Sequence, residues 1–188
     1  MKRNKTYLVV DTETGGLNPY KNSILSCAGV LWKPGKMIKP IFNFYVREKN
    51  IVCEQKALEI NKIDLQDVEK GLTPVQAVEE IRRSLDKNVG KNRKSMTLVG
   101  HNIPFDVSFI KRMYRLAGNK NYSRDFHNRA VDTASILEFL ILSGKVDAKR
   151  ASADVLFESA GVKIKDVHRH TALGDAIATA NAMENLIS

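Results

Sequence analysis

The chain holds only two cysteines in 188 residues, Cys27 and Cys53. Each stands alone in its segment, which excludes both the paired spacing of a zinc site and the density of a secreted disulfide framework. Two buried free thiols are expected. Long apolar runs are missing too: after the polar, basic Met1 to Lys5, the run Tyr7 to Val10 is far shorter than a signal-peptide core or a membrane span. A cytoplasmic protein with no membrane partner is the expectation. Five prolines and eleven glycines are scattered without a linker, a repeat or a low-complexity tract, so one domain over 1–188 is expected, long enough to bury most of a sheet under helices. Acidic side chains are scarce as well. Asp and Glu number 21 against 30 Lys and Arg, a net charge of +9, and that balance makes a polyanion such as nucleic acid the first partner to consider.

What is present is a set of short patterns. Thr6 to Asp11 is a β-branched, apolar run ending in a carboxylate and reads as a buried strand. Ile24 to Trp32 and Ile41 to Val46 read as two more, an antiparallel pair joined by the turn residues Lys33-Pro34-Gly35-Lys36. Thr73-Pro74 opens a helix with Val75, Val78, Ile81 and Leu85 at helical spacing. A basic loop, Asn88 to Lys94, precedes a short strand at Met96 to Val99, and Gly100-His101-Asn102 leads into a helix from about Pro104 to Ala117, closed by Gly118. Further helices are expected over Asp132 to Leu142, Ser152 to Ala160 and Thr171 to Ile187. Three strands followed by alternating strands and helices predict an α/β fold, a mixed sheet flanked by helices.

Four carboxylates sit at suggestive points of this pattern. Asp11 and Glu13 are two residues apart where the first strand ends, so both point to one face, roughly 7 Å apart along extended backbone. A cation can bridge them, although a solvent-facing pair at a strand end is the bland alternative. Gly15-Gly16 behind them allows a phosphate or base to approach the backbone. Asp106 shares a helix face with Phe109, Ile110, Met113 and Ala117, where a bare carboxylate is costly unless a cation or hydrogen bonds neutralise it. It could instead satisfy free amides of the first helical turn. Asp175 shares a face of the last helix with Ala172, Ala178 and Ala182, small residues that permit close packing. His170 precedes Asp175 by five residues, which on a helix would turn it away, so an imidazole serving the same site must project from the preceding loop. A histidine there is suited to act as general base on a bound water. His168 reads as an ordinary surface or core imidazole, and His101 and His127 fit either role. Lys163, Lys165 and Arg169, with the cluster Lys87, Lys91, Arg93 and Lys94, are candidates for tracking a phosphate backbone.

Taken together, DTET at 11–14, HNIPFD at 101–106 and HTALGD at 170–175 resemble the three motifs of the DEDDh exonuclease family, which includes the proofreading epsilon subunit of bacterial DNA polymerase III. The resemblance spans about Thr6 to Ile187. It implies an RNase H-like fold with a mixed five-stranded sheet and helices on both faces. It also implies that Asp11, Glu13 and Asp175 are ligands of a catalytic metal, that Asp11 bridges to a second ion, that Asp106 binds that second ion directly or through water, and that His170 is the general base. The implied cofactors are two divalent ions, magnesium or manganese, flanking the last phosphodiester of a 3′ end, and the implied product is a nucleoside 5′-monophosphate. By the same resemblance Thr14, Gly15 and Leu17 line the terminal nucleotide, with Leu17 as an apolar wedge, while Asn102 and Phe105 face the strand. Gly15 departs from the family's usual threonine.

The substrate that follows is the 3′ end of single-stranded DNA, in replication proofreading or repair, with a polymerase as candidate partner. The chain ends soon after the last predicted helix, so a polymerase-binding tail of the epsilon-subunit kind is not expected. An RNA 3′-end trimming ribonuclease would use the same chemistry, since discrimination rests on contacts to the 2′-hydroxyl. A non-catalytic nucleic-acid-binding or polymerase-anchoring module is the third alternative, and it requires a missing carboxylate or histidine.

Overall fold

The computed structural model describes residues 5–119, 121–163 and 169–188. Its frame is a five-stranded mixed sheet in the order β3-β2-β1-β4-β5, formed by β1 (Tyr7–Thr14), β2 (Ile24–Lys33), β3 (Met37–Tyr45), β4 (Leu98–Gly100) and β5 (Val131–Asp132). β1 runs antiparallel to β2 and parallel to β4; β2–β3 is antiparallel and β4–β5 parallel. β1 and β2 are interior strands covered on both faces, so their sequences are apolar runs with little alternation.

Two helical layers cover the sheet. On one face lie α3 (Pro74–Asn88) and α4 (Ile103–Leu116), whose Ala77, Val78, Ile81, Leu85, Phe109, Ile110 and Met113 pack against Leu8, Val10, Cys27 and Leu31. On the other lies α8 (Ala172–Ile187), whose Ala176, Ala180 and Met183 meet Val9, Val30, Trp32 and Val99. The alanines let α8 lie close to the sheet, and Glu184 ties its far end to the β2–β3 hairpin by accepting from Trp32 Nε1 at 2.7 Å and from the Gly35 amide at 2.8 Å. Outside α8, Leu137 of α6 (Thr133–Leu142) and Leu156 and Phe157 of α7 (Ala153–Ser159) form a third cluster with Ala178 and Ala182. None of the helices among the described residues is long and apolar enough to cross a membrane.

Several boundaries differ from the sequence reading for identifiable reasons. β1 continues three residues past Asp11, so Glu13 lies inside the strand, paired with Ser26. β3 starts at Met37 and tolerates Pro40 because it is an edge strand, where a missing amide breaks no ladder. Its partner Gly29 leaves room for the Phe42 ring, which an added Cβ would meet at 2.2 Å. Met96 lies outside β4 and makes an isolated bridge with Phe126. Val75 falls on the exposed side of α3, and Ala77 takes its place in the buried stripe. Thr73 and Gln76 form the capping box that starts this helix. The two-residue β5 and the short helices α1 (Gln55–Asn61), α2 (Leu65–Glu69) and α5 (Tyr122–Asp125) carry too few residues to show a period.

The basic loop is corrected in part. Arg93 does not face solvent: its side chain is 5% exposed and it pairs with Asp125 and Asp86. The buried Asp125 also accepts from Arg82 Nε at 2.7 Å and from the Tyr114 hydroxyl at 3.0 Å. Lys87, Lys91 and Lys94 do remain exposed.

A second buried ion pair holds the segment that leads out of β1. Glu48 receives Arg112 of α4 on both oxygens, at 2.9 and 2.7 Å, and also Ser23 Oγ and the Ile24 amide; the third nitrogen of Arg112 donates to the Pro19 carbonyl at 3.1 Å. Removing one member of such a pair strands the other. Glu48→Ala is expected to lower unfolding free energy in urea by about 3 kcal/mol, and adding Arg112→Met should restore part of the loss. A double variant no more stable than Glu48→Ala would refute the paired account.

Candidate active site

The strand alternation of β1 divides its residues between the two faces of the sheet. Leu8 and Val10 face α3 and α4, whereas Val9 faces α8. Asp11 and Glu13 continue the Val9 series, and at the start of α8 Asp175 comes to meet them. Ligand oxygens of Asp11, Glu13 and Asp175 all lie within 4.8 Å of one another. Thr171 caps α8 by accepting from the Gly174 amide, and Asp175 sits in the first turn.

Asp106 stands on the other helix layer, in the first turn of α4, and is 4% exposed. Thr12, the β1 residue between Asp11 and Glu13, reaches it from the sheet: its amide and its hydroxyl both donate to Asp106 Oδ1, at 2.9 and 2.8 Å. Asp106 is thus held against β1 by Thr12 and is not one of the three carboxylates whose oxygens cluster. At the head of the same helix, Asp132 accepts from the Asn102 and Ile103 amides while also capping α6 through the Ala134 amide. The positioning role of Asp132 has no signal in the sequence beyond a carboxylate at the start of a helical run, because the two-residue β5 that it ends is too short to show a period.

The electrostatics follow from this crowding. Burial, then repulsion from Asp106, Glu13 and Asp175, pushes the Asp11 carboxyl well above the ordinary carboxylate range. Burial, then Asp175 and Asp106, pushes Glu13 up to about 8. Burial raises Asp106 to about 7 against the opposing Thr12 hydrogen bonds. Asp175 is raised by burial and drawn back by Arg169. Arg169 is the correction here: it does not lie open to a phosphate backbone, because it donates to Asp175 Oδ2 at 2.5 Å and to Asp154 at 2.9 and 3.1 Å, with its guanidinium 5.4 Å from the centre of the Phe157 ring.

His170 occupies the loop before α8, with a left-handed backbone (φ 60°) and an exposed side chain. It lines, with Glu13, a cleft of about 830 Å³ that also takes in Asn43, Tyr45, Asn61, Lys62 and Asn181. The other imidazoles differ. His101 is held between Thr133 Oγ1 and the Ala151 carbonyl, both at 3.1 Å, and His127 Nδ1 accepts from the Arg129 amide. His168 and Lys165 lie outside the described residues.

The remaining candidates are distributed around the end of β1. Thr14 is buried and its hydroxyl donates to the Gly16 carbonyl, so that group shapes the turn. The space beside Gly15 is filled by the chain itself: a Cβ there would meet the Val52 carbonyl at 2.4 Å and Cys53 Sγ at 2.8 Å. The freedom expected to admit a phosphate on that side instead admits the 52–53 segment. Leu17 is exposed, Asn102 is exposed at the head of α4, and Phe105 is half-buried against Phe109.

Whether these residues suit a divalent ion is answered by two observations. Buried carboxylates held this close resist ionising together, and a cation removes that conflict. In addition, Asp175 Oδ1 is buried with no hydrogen-bond partner. An all-oxygen set without a thiolate suits magnesium or manganese, so Asp11, Glu13 and Asp175 fit such an ion.

Comparison with known proteins agrees with this frame. A DNA polymerase III subunit epsilon-like protein of Rhodobacter capsulatus is 30% identical over 184 residues, covering 97% of this chain and 24% of that protein. Ribonuclease T of Buchnera aphidicola subsp. Schizaphis graminum is 26% identical over 190 residues, covering 96% of this chain and 82% of that protein. The crystal structure of E. coli Exonuclease I in complex with a dT13 oligonucleotide shares the fold, with a TM-score of 0.78 at 16% identity over 97% of this chain and 41% of that one. The chain thus spans about a quarter of the epsilon-like relative's length and most of the ribonuclease's. The Exonuclease family model (RNase_T) matches residues 8–183, a stretch that runs from the first buried residue of β1 almost to the end of α8, and on that match the chain belongs to the Exonuclease family.

Proposed function

We infer that this chain is a 3′-to-5′ exonuclease, a single domain over 1–188 working in the cytoplasm, that hydrolyses the terminal phosphodiester of DNA in proofreading or repair and releases nucleoside 5′-monophosphates. The observation that carries the inference is the convergence of Asp11, Glu13 and Asp175 within 4.8 Å, on two elements remote in sequence. Asp11, Glu13 and Asp175 would hold one divalent ion, and Asp106 together with Asp11 would hold a second. Ions bound there would supply Lewis-acid stabilisation to the charge that develops on the phosphoryl and departing oxygens. His170, on the loop before α8, takes the proton of the attacking water as its oxygen bonds to phosphorus, and the 3′ oxygen of the preceding nucleotide leaves with the electron pair of its bond to phosphorus and takes up a proton from solvent. Thr14, Gly15, Leu17, Asn102 and Phe105 are assigned to the terminal nucleotide. The non-catalytic alternative loses its basis, since all four carboxylates and His170 are present.

DNA is favoured by the epsilon-like relative, whose name also keeps a polymerase as candidate partner, and by the oligonucleotide bound to the Exonuclease I neighbour. RNA 3′-end trimming is the second reading, favoured by the relatives named Ribonuclease T, which this chain matches over most of their length.

Matched 5′-labelled DNA and RNA oligonucleotides, incubated with magnesium, should give a ladder shortening from the 3′ end, with DNA cut faster. A ladder from the 5′ end would overturn the polarity, and faster RNA cleavage would select the second reading. Asp11→Asn and Asp175→Asn should each lower activity by more than about a hundredfold, beyond what loss of an outer partner of a metal ligand produces, while retaining the native circular dichroism spectrum. Near-normal turnover in either variant would remove the site.

Protonation gives an independent readout. Glu13 and Asp106 have folded values of about 8 and about 7, above their ordinary values of 4.5 and 3.8. The folded state therefore holds these protons more tightly than the unfolded one, and the associated stability is complete below about pH 4 and lost as pH rises towards 8. In chelator, Tm should fall between pH 5 and 8, with a shallower fall in Glu13→Gln and a shallower fall again for the wild type in magnesium. Superimposable curves with and without magnesium would contradict the metal assignment.

A further inference from the structure

Beside the carboxylates, the loop between β1 and β2 holds two large apolar side chains out in solvent: Leu17 is 80% exposed and Tyr20 is 81% exposed. Isolated exposed hydrophobics are ordinary, but this loop is fixed. Asn18 accepts the Tyr20 amide on its side chain at 2.9 Å and the Lys21 and Asn22 amides on its carbonyl, while Asn22 Oδ1 accepts from the Asn18 amide at 3.0 Å. From α4, Arg112 donates to the Pro19 carbonyl, and one turn further on the Arg115 guanidinium lies 5.7 Å from the centre of the Tyr20 ring. Arg115 is exposed and has no carboxylate partner among the described residues.

We propose that Tyr20, backed by Arg115, is a stacking platform for a nucleobase of the bound strand several nucleotides upstream of the scissile bond. The inference rests on the exonuclease reading and adds a second contact point to it. An aromatic face stacks on any base, and a guanidinium on the opposite face of the ring both polarises it and stands ready for a nearby phosphate. For a strand laid along α4, the helix sets the register. Arg115 follows Asp106 by nine residues on one helix, about 13 Å at 1.5 Å per residue, and a stacked strand advances about 3.4 Å per nucleotide. The base that reaches Tyr20 is therefore about the fourth from the 3′ end. The rigid loop matters because a ring already held in place loses little freedom on binding. The consequence is length-dependent, sequence-tolerant binding: short oligonucleotides miss the platform and longer ones gain from it whatever their sequence.

The test uses the full chain with Asp11→Asn, so that DNA binds without being cut. Fluorescence anisotropy is measured with a labelled ten-nucleotide strand and with a series in which one nucleotide at a time is abasic. The abasic series should lose about tenfold in affinity, roughly 1.4 kcal/mol, at one position three to five nucleotides from the 3′ end. Adding Tyr20→Ala should weaken the intact strand by a similar factor and abolish that dip, whereas Tyr20→Phe should keep both. A flat series on a tightly bound strand, or a dip that persists in Tyr20→Ala, overturns the platform and leaves the exonuclease reading standing. Failure of both the Asp11→Asn protein and the wild-type chain in chelator to bind any strand overturns both.

Discussion

Mutual repulsion among buried carboxylates is the constraint around which this molecule is built. Asp11 and Glu13 are each driven above the ordinary carboxylate range first by burial and then by neighbouring acids, and Asp106 is raised by burial against the pull of its Thr12 hydrogen bonds. Left to themselves, like charges in a poorly solvated place separate or stay protonated. Here they cannot separate, because β1 fixes two of them on one face and the close seat of α8 on the sheet fixes a third. Arg169 partly compensates by pairing with Asp175, but its other nitrogens belong to Asp154. The remaining excess of negative charge is what makes a divalent ion the natural occupant.

Holding that arrangement requires contacts that never touch a substrate. Thr12 is the clearest case. A residue whose side chain points to the opposite face from Asp11 and Glu13 uses both its donors on Asp106 Oδ1, and so ties the start of α4 to the strand that carries the other two carboxylates. Glu184 does comparable work for α8, and Asp132 joins the starts of α4 and α6. The acceptor in each of these anchors, Asp106, Glu184 or Asp132, is a carboxylate that takes two or more donors, which is how a polar group withdrawn from solvent becomes a source of rigidity and not a penalty.

How much of this could be read from residues alone depended on whether the signal was local. Asp106 and Asp175 stood out because each interrupts the apolar stripe of a helix, and Asp11 because it ends an apolar run two residues before Glu13; the structure puts all three in poorly solvated surroundings near one another. The loop placement of His170 followed from helical geometry in the same way. The two residues of β5 and the four of α5 had no period to detect. Arginine was the main failure, for a physical reason: a guanidinium beside a motif looks the same in sequence whether it waits for phosphate or is already paired. Arg93 and Arg169 were both candidates for tracking a phosphate backbone, and both are held by acids, Arg93 by Asp125 and Asp86 and Arg169 by Asp154 and Asp175. Gly15 misled similarly, since the contact that demands a glycine comes from Val52 and Cys53.

Sorting the cations in this way changes what the net charge of +9 means. Arg82, Arg93, Arg112 and Arg169 are committed to carboxylates, and their charge is largely cancelled locally. The uncommitted charge rests mainly on exposed lysines such as Lys87, Lys91, Lys94 and Lys163. Lysine is a strongly hydrated point charge without a planar fork, suited to a diffuse field that attracts a phosphate backbone and weakens with salt. Such a field brings a strand to the surface but cannot set its register against the carboxylates. Register has to come from short-range groups, and around the end of β1 those are apolar and aromatic: Leu17, Tyr20 and Phe105. On the proposed exonuclease reading, attraction and alignment would then fall to different residue types, long-range charge to the lysines and contact surface to the loop and helix beside the end of β1.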